Sequence, residues 1–170
     1  MKKIEKDFFN AIRMEEYKQF DAMIDIVDIE MVDDVGFTPL LLASYTRNAI
    51  FVKALLKKGA DVNATIKDKD NSLHFAAYNN DPHIAEMLIK AGIDINNKGY
   101  EDRVPITLAI TEDSWETFKV IYKAKPNMNI ENDVGRSPEK YIYLKPEKDN
   151  KKYHKIMKTS IVGKFARLLK

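Results

Sequence analysis

The chain has 170 residues, 45% of them hydrophobic and 32% charged, enough for a continuous core beneath a wet surface. It has no cysteine, which excludes a disulfide framework, a thiolate metal site and a cysteine nucleophile, and fits a reducing compartment. The net charge of +2 conceals an asymmetry: residues 1–138 hold 18 Lys/Arg against 23 Asp/Glu, a net −5, and residues 139–170 hold 10 against 3, a net +7.

The opening Met1-Lys2-Lys3-Ile4-Glu5-Lys6-Asp7 turns charged before any signal-peptide apolar stretch can form. No apolar run approaches the roughly 18 residues of a membrane span. The expectation is a cytoplasmic protein, in which the glycosylation sequon Asn63-Ala64-Thr65 is a coincidence. Phe8, Phe9, Ala11, Met23 and Ile24 mark a degenerate first unit over residues 1–32. Leu40, Leu41, Ala43 and Ser44 then recur at helical spacing after Thr38-Pro39, where Thr38 can cap and Pro39 fits the first turn. Phe51, Val52, Leu55 and Leu56 form a second short apolar stripe, and Gly59 is placed to end that helix.

These landmarks return every 33 residues. Gly59-Ala60-Asp61-Val62-Asn63 becomes Gly92-Ile93-Asp94-Ile95-Asn96 and, degraded, Lys125-Pro126-Asn127-Met128-Asn129. Thr38-Pro39-Leu40-Leu41-Leu42-Ala43 becomes Asn71-Ser72-Leu73-His74-Phe75-Ala76, then Val104-Pro105-Ile106-Thr107-Leu108-Ala109, then Ser137-Pro138. Leu55-Leu56 becomes Leu88-Ile89 and Ile121-Tyr122. A fixed period of this size means a stacked array whose units bury their apolar faces against one another. Each unit reads as two short antiparallel helices followed by a turn-rich, extended connection.

The pattern resembles the ankyrin repeat, with its Thr-Pro-Leu-His segment, paired leucines and Gly-Ala-Asp-Val-Asn turn. The unit 33–65 matches best, although Leu41 stands where the family has histidine. The unit 66–98 keeps Leu73, His74 and Gly92 but has Lys69, Asn71 and Ser72 for Gly, Thr and Pro. The unit 99–131 has Lys125 where the terminating glycine belongs, so its last turn is expected to be strained or altered. Residues 132–170 supply a degenerate unit and a C-terminal helix. There Asp149-Asn150 is read as the cap, and Tyr153, Met157, Ile161, Phe165, Leu168 and Leu169 as one apolar side with lysines opposite, weakened by Gly163. This helix is expected to seal the array; the other reading is a basic stretch touching an acidic partner or a membrane surface. The resemblance thus implies one domain over 1–170, an all-α ankyrin-type solenoid of four to five units with helical caps.

Little in the chain speaks for chemistry. There is no Gly-x-Ser-x-Gly elbow, no phosphate loop and no His-Glu-x-x-His pattern. His83 and His154 have no ligand partner at metal spacing, and the resemblance gives His74 a structural role in tying neighbouring units together. Glu15-Glu16, Asp33-Asp34 and Asp113 near Glu116 read as solvated charge. We expect no enzyme, no cofactor, no metal and no small-molecule substrate. Nucleic acid is disfavoured because Arg167 is the only arginine of the basic segment.

The resemblance instead implies a protein partner, bound by a monomer on the concave face and turn tips. Its partner-binding positions fall on Asp34, Val35, Phe37, Tyr45 and Thr46 in one unit, and on Lys67, Asp68, Asp70, Tyr78 and Asn79 in the next. The third contributes Tyr100, Glu101, Arg103, Thr111 and Glu112. These hold five acids, two bases and four aromatics, which suits a basic partner. The roles expected are an immunity protein neutralising a toxin, or else an effector engaging host proteins or a weak nucleic-acid binder.

Overall fold

The computed structural model describes the backbone of residues 1–168 and the side chains of residues 1–157. Among the described residues there are ten α-helices and no strand. They are α1 (Lys3–Arg13), α2 (Tyr17–Met23), α3 (Pro39–Tyr45), α4 (Ala49–Lys57), α5 (Ser72–Tyr78), α6 (Pro82–Lys90), α7 (Pro105–Thr111), α8 (Trp115–Lys123), α9 (Pro138–Leu144) and α10 (Glu147–Leu168). No helix among the described residues is long and apolar enough to cross a membrane.

Capping chemistry at fixed intervals sets the short helices. The Thr38 hydroxyl accepts from the Leu41 N–H, the Asn71 carboxamide from the Leu73 and His74 N–H groups, and the Ser137 hydroxyl from the Lys140 N–H. Val104, at the same register, makes no side-chain cap, but Pro105 in the first turn removes a donor that would need one. Asn48 and Asp81 cap α4 and α6 in the same way. The first four helix pairs each turn through one left-handed residue: Glu15, Arg47, Asn80 and Asp113, all with φ between 51° and 62°. The second helices stop at Gly59 (φ 87°), Gly92 (φ 89°) and Lys125 (φ 63°). The turn at Lys125 is therefore kept, with a side chain forced into the conformation that glycine adopts freely.

The helices stack in two rows. In the first row α3 packs on α1 and α5, and α7 on α5 and α9; in the second, α6 packs on α4 and α8. The core repeats with the sequence: Leu40, Leu73 and Ile106, then Ala43, Ala76 and Ala109, then Leu55, Leu88 and Ile121 are all buried. Cutting any of these large side chains to alanine should cost about 2–5 kcal/mol. At the N-terminal end, Phe20 stacks between Phe8 (4.9 Å) and Phe51 (4.1 Å), which joins the first helix pair to the next.

Between the pairs, the connection uses the conserved register of the Asp-x-Asn turn. The backbone N–H groups of Asp61, Asp94 and Asn127 each donate over 2.8 Å to a side-chain oxygen one unit earlier, on Glu30, Asn63 and Asn96. Asp61, Asp94 and Asn127 in turn accept from the N–H two residues ahead. The four tips are closed by N–H to carbonyl bonds from Asp33 to Phe37, Ile66 to Asp70, Gly99 to Arg103 and Asn132 to Arg136. This gives the Asn127 side chain a role in the degraded third turn, which keeps it while losing its glycine.

The last helix starts at Glu147, just after Pro146, so Asp149-Asn150 lies inside its first turn and does not cap it. Pro146 stops α9 and its carbonyl takes the N–H groups of Asp149 and Asn150, so the helix nucleates there. Tyr153 is fully buried, edge-on to Trp115 (5.2 Å) and Phe118 (4.7 Å), and Met157 packs on the same core. The side chains of Ile161, Phe165, Arg167, Leu168 and Leu169 lie outside those described, and the helical backbone of α10 continues through Gly163.

Candidate protein-interaction face

The first-row helices end in step: Tyr45, Tyr78, Thr111 and Leu144 are the last residues of α3, α5, α7 and α9. A final helical residue projects past its own turn, and Tyr45 and Tyr78 are 51% and 58% exposed. The hairpin tips hang beside them, and Tyr100, in a 3₁₀ turn over Tyr100–Asp102, is 53% exposed. Thr46, Asn79 and Glu112 occupy the helix C-caps, where the Asn79 amide donates to the Tyr45 carbonyl over 2.9 Å and binds one unit to the next.

The expected positions do not all behave as free surface. Phe37 is half-buried, 5.6 Å from the Tyr45 ring and stacked 5.5 Å from Phe75. Tyr45 meets Phe75 edge-on at 5.6 Å. Phe75 is the member of this cluster that sequence reasoning missed. Its neighbours one unit away are Leu42 and Leu108, so the aromatic exchange at a leucine position was the available signal. Asp34, Val35, Lys67, Asp68, Glu101 and Glu112 are exposed, whereas Thr46 and Thr111 turn their hydroxyls back to helix carbonyls.

Asp70, His74, Gly99 and Arg103 form a structural knot beneath this surface. His74 is buried; its Nδ1 accepts from the Asn71 N–H (3.1 Å) and its Nε2 donates to the Arg103 carbonyl (3.1 Å), which fixes the tautomer. Burial holds its pKa below the ordinary 6.5, against the pull of the Asp70 carboxylate, so the ring is neutral. Asp70 accepts from the Tyr100 N–H over 2.9 Å. Gly99 is required here: a Cβ would lie 1.9 Å from the Asp70 Oδ1 and 2.7 Å from the His74 Nε2. Asp70 is thus an inter-unit acceptor, while Asp68 makes neither a side-chain hydrogen bond nor an ion pair among the described residues. Arg103 lies 3.3 Å from the Glu101 carboxylate, with its guanidinium 5.8 Å over the Tyr100 ring.

The ankyrin-repeat family (three copies) matches residues 8–99 and 51–133, which spans α2 to α8 and every tip from Asp33 to Arg103. This chain belongs to the ankyrin-repeat family. It is 33% identical over 128 residues to the nuclear factor NF-kappa-B p105 subunit of Gallus gallus, covering 72% of this chain and 12% of that protein. To the Neurogenic locus Notch protein of Drosophila melanogaster it is 27% identical over 128 residues, 65% of this chain and 5% of that one. To the mitochondrial disaggregase of Bos taurus it is 27% identical over 119 residues, 67% and 17%. The chain therefore spans a small part of these relatives, and what is shared is the repeat array. Ankyrin repeats bind protein partners, and the family is generally a non-enzymatic interaction scaffold.

Proposed function

We propose that this ankyrin array is a non-enzymatic, monomeric binding module that docks a basic protein on the face formed by the ends of α3, α5 and α7 and their hairpin tips. The observation that carries this reading is the exposure of Tyr45, Tyr78 and Tyr100 in adjacent units, beside the unpaired carboxylates of Asp68 and Glu112. No core position demands these rings. Aromatic side chains of this kind anchor interfaces because they bring large area at low ordering entropy. Asp34, Thr46, Asn79, Glu101 and Thr111 form the rim of the same surface, and Phe37 and Asp70 support it from beneath. A rigid stack loses little freedom on docking, which favours inhibition by coverage. A toxin with a basic active surface, the immunity role, is the partner type this face suits.

The test is the affinity of the co-purified partner, measured by calorimetry. Replacing Tyr45 and Tyr78 together by alanine should leave the helical spectrum intact and cost on the order of 2 kcal/mol or more of affinity. Charge reversal at Lys53 and Lys57, exposed on α4 in the second row, should have little effect. If the lysine pair abolishes binding and the tyrosine pair is silent, the docking face lies elsewhere.

A further inference from the structure

Tyr45, Tyr78 and Tyr100 surround a notch of about 320 Å³ between neighbouring units, floored by Phe75 and Leu108. We propose that this notch is a receptor for one cationic side chain, a lysine or arginine of the partner protein, and that this residue anchors the complex. The proposal rests on the reading of this face as the docking surface and adds to it what the surface recognises.

Three observations select a cation. First, the notch is edged by Asp68, Asp70 and Glu112; among the described residues Asp68 has no partner and Glu112 only a 3.4 Å contact with the Thr111 hydroxyl. The one cation on the lining, Arg103, is already compensated by Glu101, and His74 is neutral. On the lining itself the carboxylates therefore outnumber the cations, while Lys67 and Lys69, either side of Asp68 on the tip, stand off it. Second, Tyr78 makes no ring contact with another aromatic among the described residues, so its face is open to a charge, and the Arg103 guanidinium over Tyr100 shows that a ring here holds a cation within about 6 Å. Third, the alternatives fail on energy. An anion would be repelled, and an uncharged apolar side chain would desolvate the carboxylates without pairing them. The larger groove of about 610 Å³ between α6 and α8 makes no such demand, because Lys90 pairs with Glu86 and Lys119 with Glu116 along it.

The experiment is a titration of the full chain, followed by its backbone amide resonances at low salt. The probes are acetyl-Gly-Lys-Gly-amide, acetyl-Gly-Arg-Gly-amide and the norleucine analogue, which keeps the lysine stem without its charge. A cationic peptide should give saturable shifts confined to residues around Tyr78, Tyr100 and Glu112, with the norleucine peptide weaker by about tenfold or more. Tyr78→Ala should lose binding by a similar factor and Tyr78→Phe should keep it, with undisturbed amide dispersion certifying the fold of each. The paired change Asp68→Asn with Glu112→Gln should bring the lysine peptide down to the norleucine level. Equal binding of lysine and norleucine, shifts centred on another part of the molecule, or no saturable shift would each overturn the proposal. The broader docking reading fails on a different result: a partner whose affinity ignores the double change at Tyr45 and Tyr78, whatever the peptides do.

Discussion

Lys125 shows how far a single residue can depart from the repeat without breaking it. Its φ of 63° matches the role of Gly59 and Gly92, and its N–H still bonds the Tyr122 carbonyl. A side chain in this region costs about 1–2 kcal/mol, because its Cβ crowds the following carbonyl. Lys125→Gly should therefore raise stability by about 1 kcal/mol, partly offset by the greater freedom of glycine in the unfolded chain. Urea unfolding at matched slope would measure it. His74 gives the opposite kind of dependence, on pH. The folded ring is held neutral, so the unfolded chain binds a proton that the folded chain refuses below the ordinary value of 6.5. Stability therefore rises with pH through that window and falls on acidification, by at most about 1.4 kcal/mol per pH unit from this group. His74→Gln should flatten the difference in unfolding free energy between pH 7.5 and pH 5. An unchanged pH slope would assign the dependence to other groups.

At the scale of elements, α10 is held by one aromatic plug and one charge cluster. Tyr153 closes over Trp115 and Phe118, and its hydroxyl donates to Asp113 over 2.9 Å. Lys152 reaches the same carboxylate at 2.8 Å and Lys145 lies 3.7 Å from it. Burial alone would raise the Asp113 pKa, but the hydrogen bonds from Lys152 and Tyr153 and both lysine charges outweigh it and leave it below the usual 3.8. A depressed carboxylate contributes stability above its unfolded pKa, which is lost as pH falls through its folded value, so acid should release this helix. Other lysines of the C-terminal segment are paired within the molecule as well: Lys140 with Glu131 and Lys151 with Glu147. Deleting residues 150–170 would uncover Trp115 and Phe118. It should lower the melting temperature by several degrees, since 1 kcal/mol moves the midpoint by roughly 2–4 °C in a chain of this length, and promote aggregation. Tyr153→Phe should keep the plug and lose only the bond to Asp113, about 1 kcal/mol. A truncated chain that stays monomeric with unchanged melting would refute the sealing role of α10.

The whole molecule acts through what the stack aligns. Positions one period apart end up side by side, so an unremarkable tyrosine at the end of one short helix becomes half of a surface with the tyrosine of the next. Rim charges in such a surface steer encounter more than they hold the complex. Asp68→Lys, at an exposed tip carboxylate that makes no ion pair with the described residues, should slow association with a basic partner and weaken its salt dependence, with a small change in dissociation, as read by stopped-flow mixing. Asp70 would not serve for this test, because it secures the Tyr100 backbone.

The period, the helix pairs, the cap at Thr38 and the repeating core were legible in the chain, because each depends on local propensity or on apolar spacing that recurs in register. The altered turn at Lys125 was legible as a problem, but its solution was not: only packing on both sides decides that a lysine will accept a left-handed backbone. The start of α10 was misplaced for a similar reason, since Asp149 and Asn150 have capping chemistry, and it is Pro146 and the docking of Tyr153 that set where the helix begins. Within the proposed interaction face, the family resemblance pointed to the tyrosines at 45, 78 and 100. It did not distinguish Asp68, free at a tip, from Asp70, engaged beneath it, two residues apart. That distinction belongs to the tertiary structure, because it depends on which neighbour from the next unit, here the Tyr100 N–H above Gly99, comes within hydrogen-bonding distance.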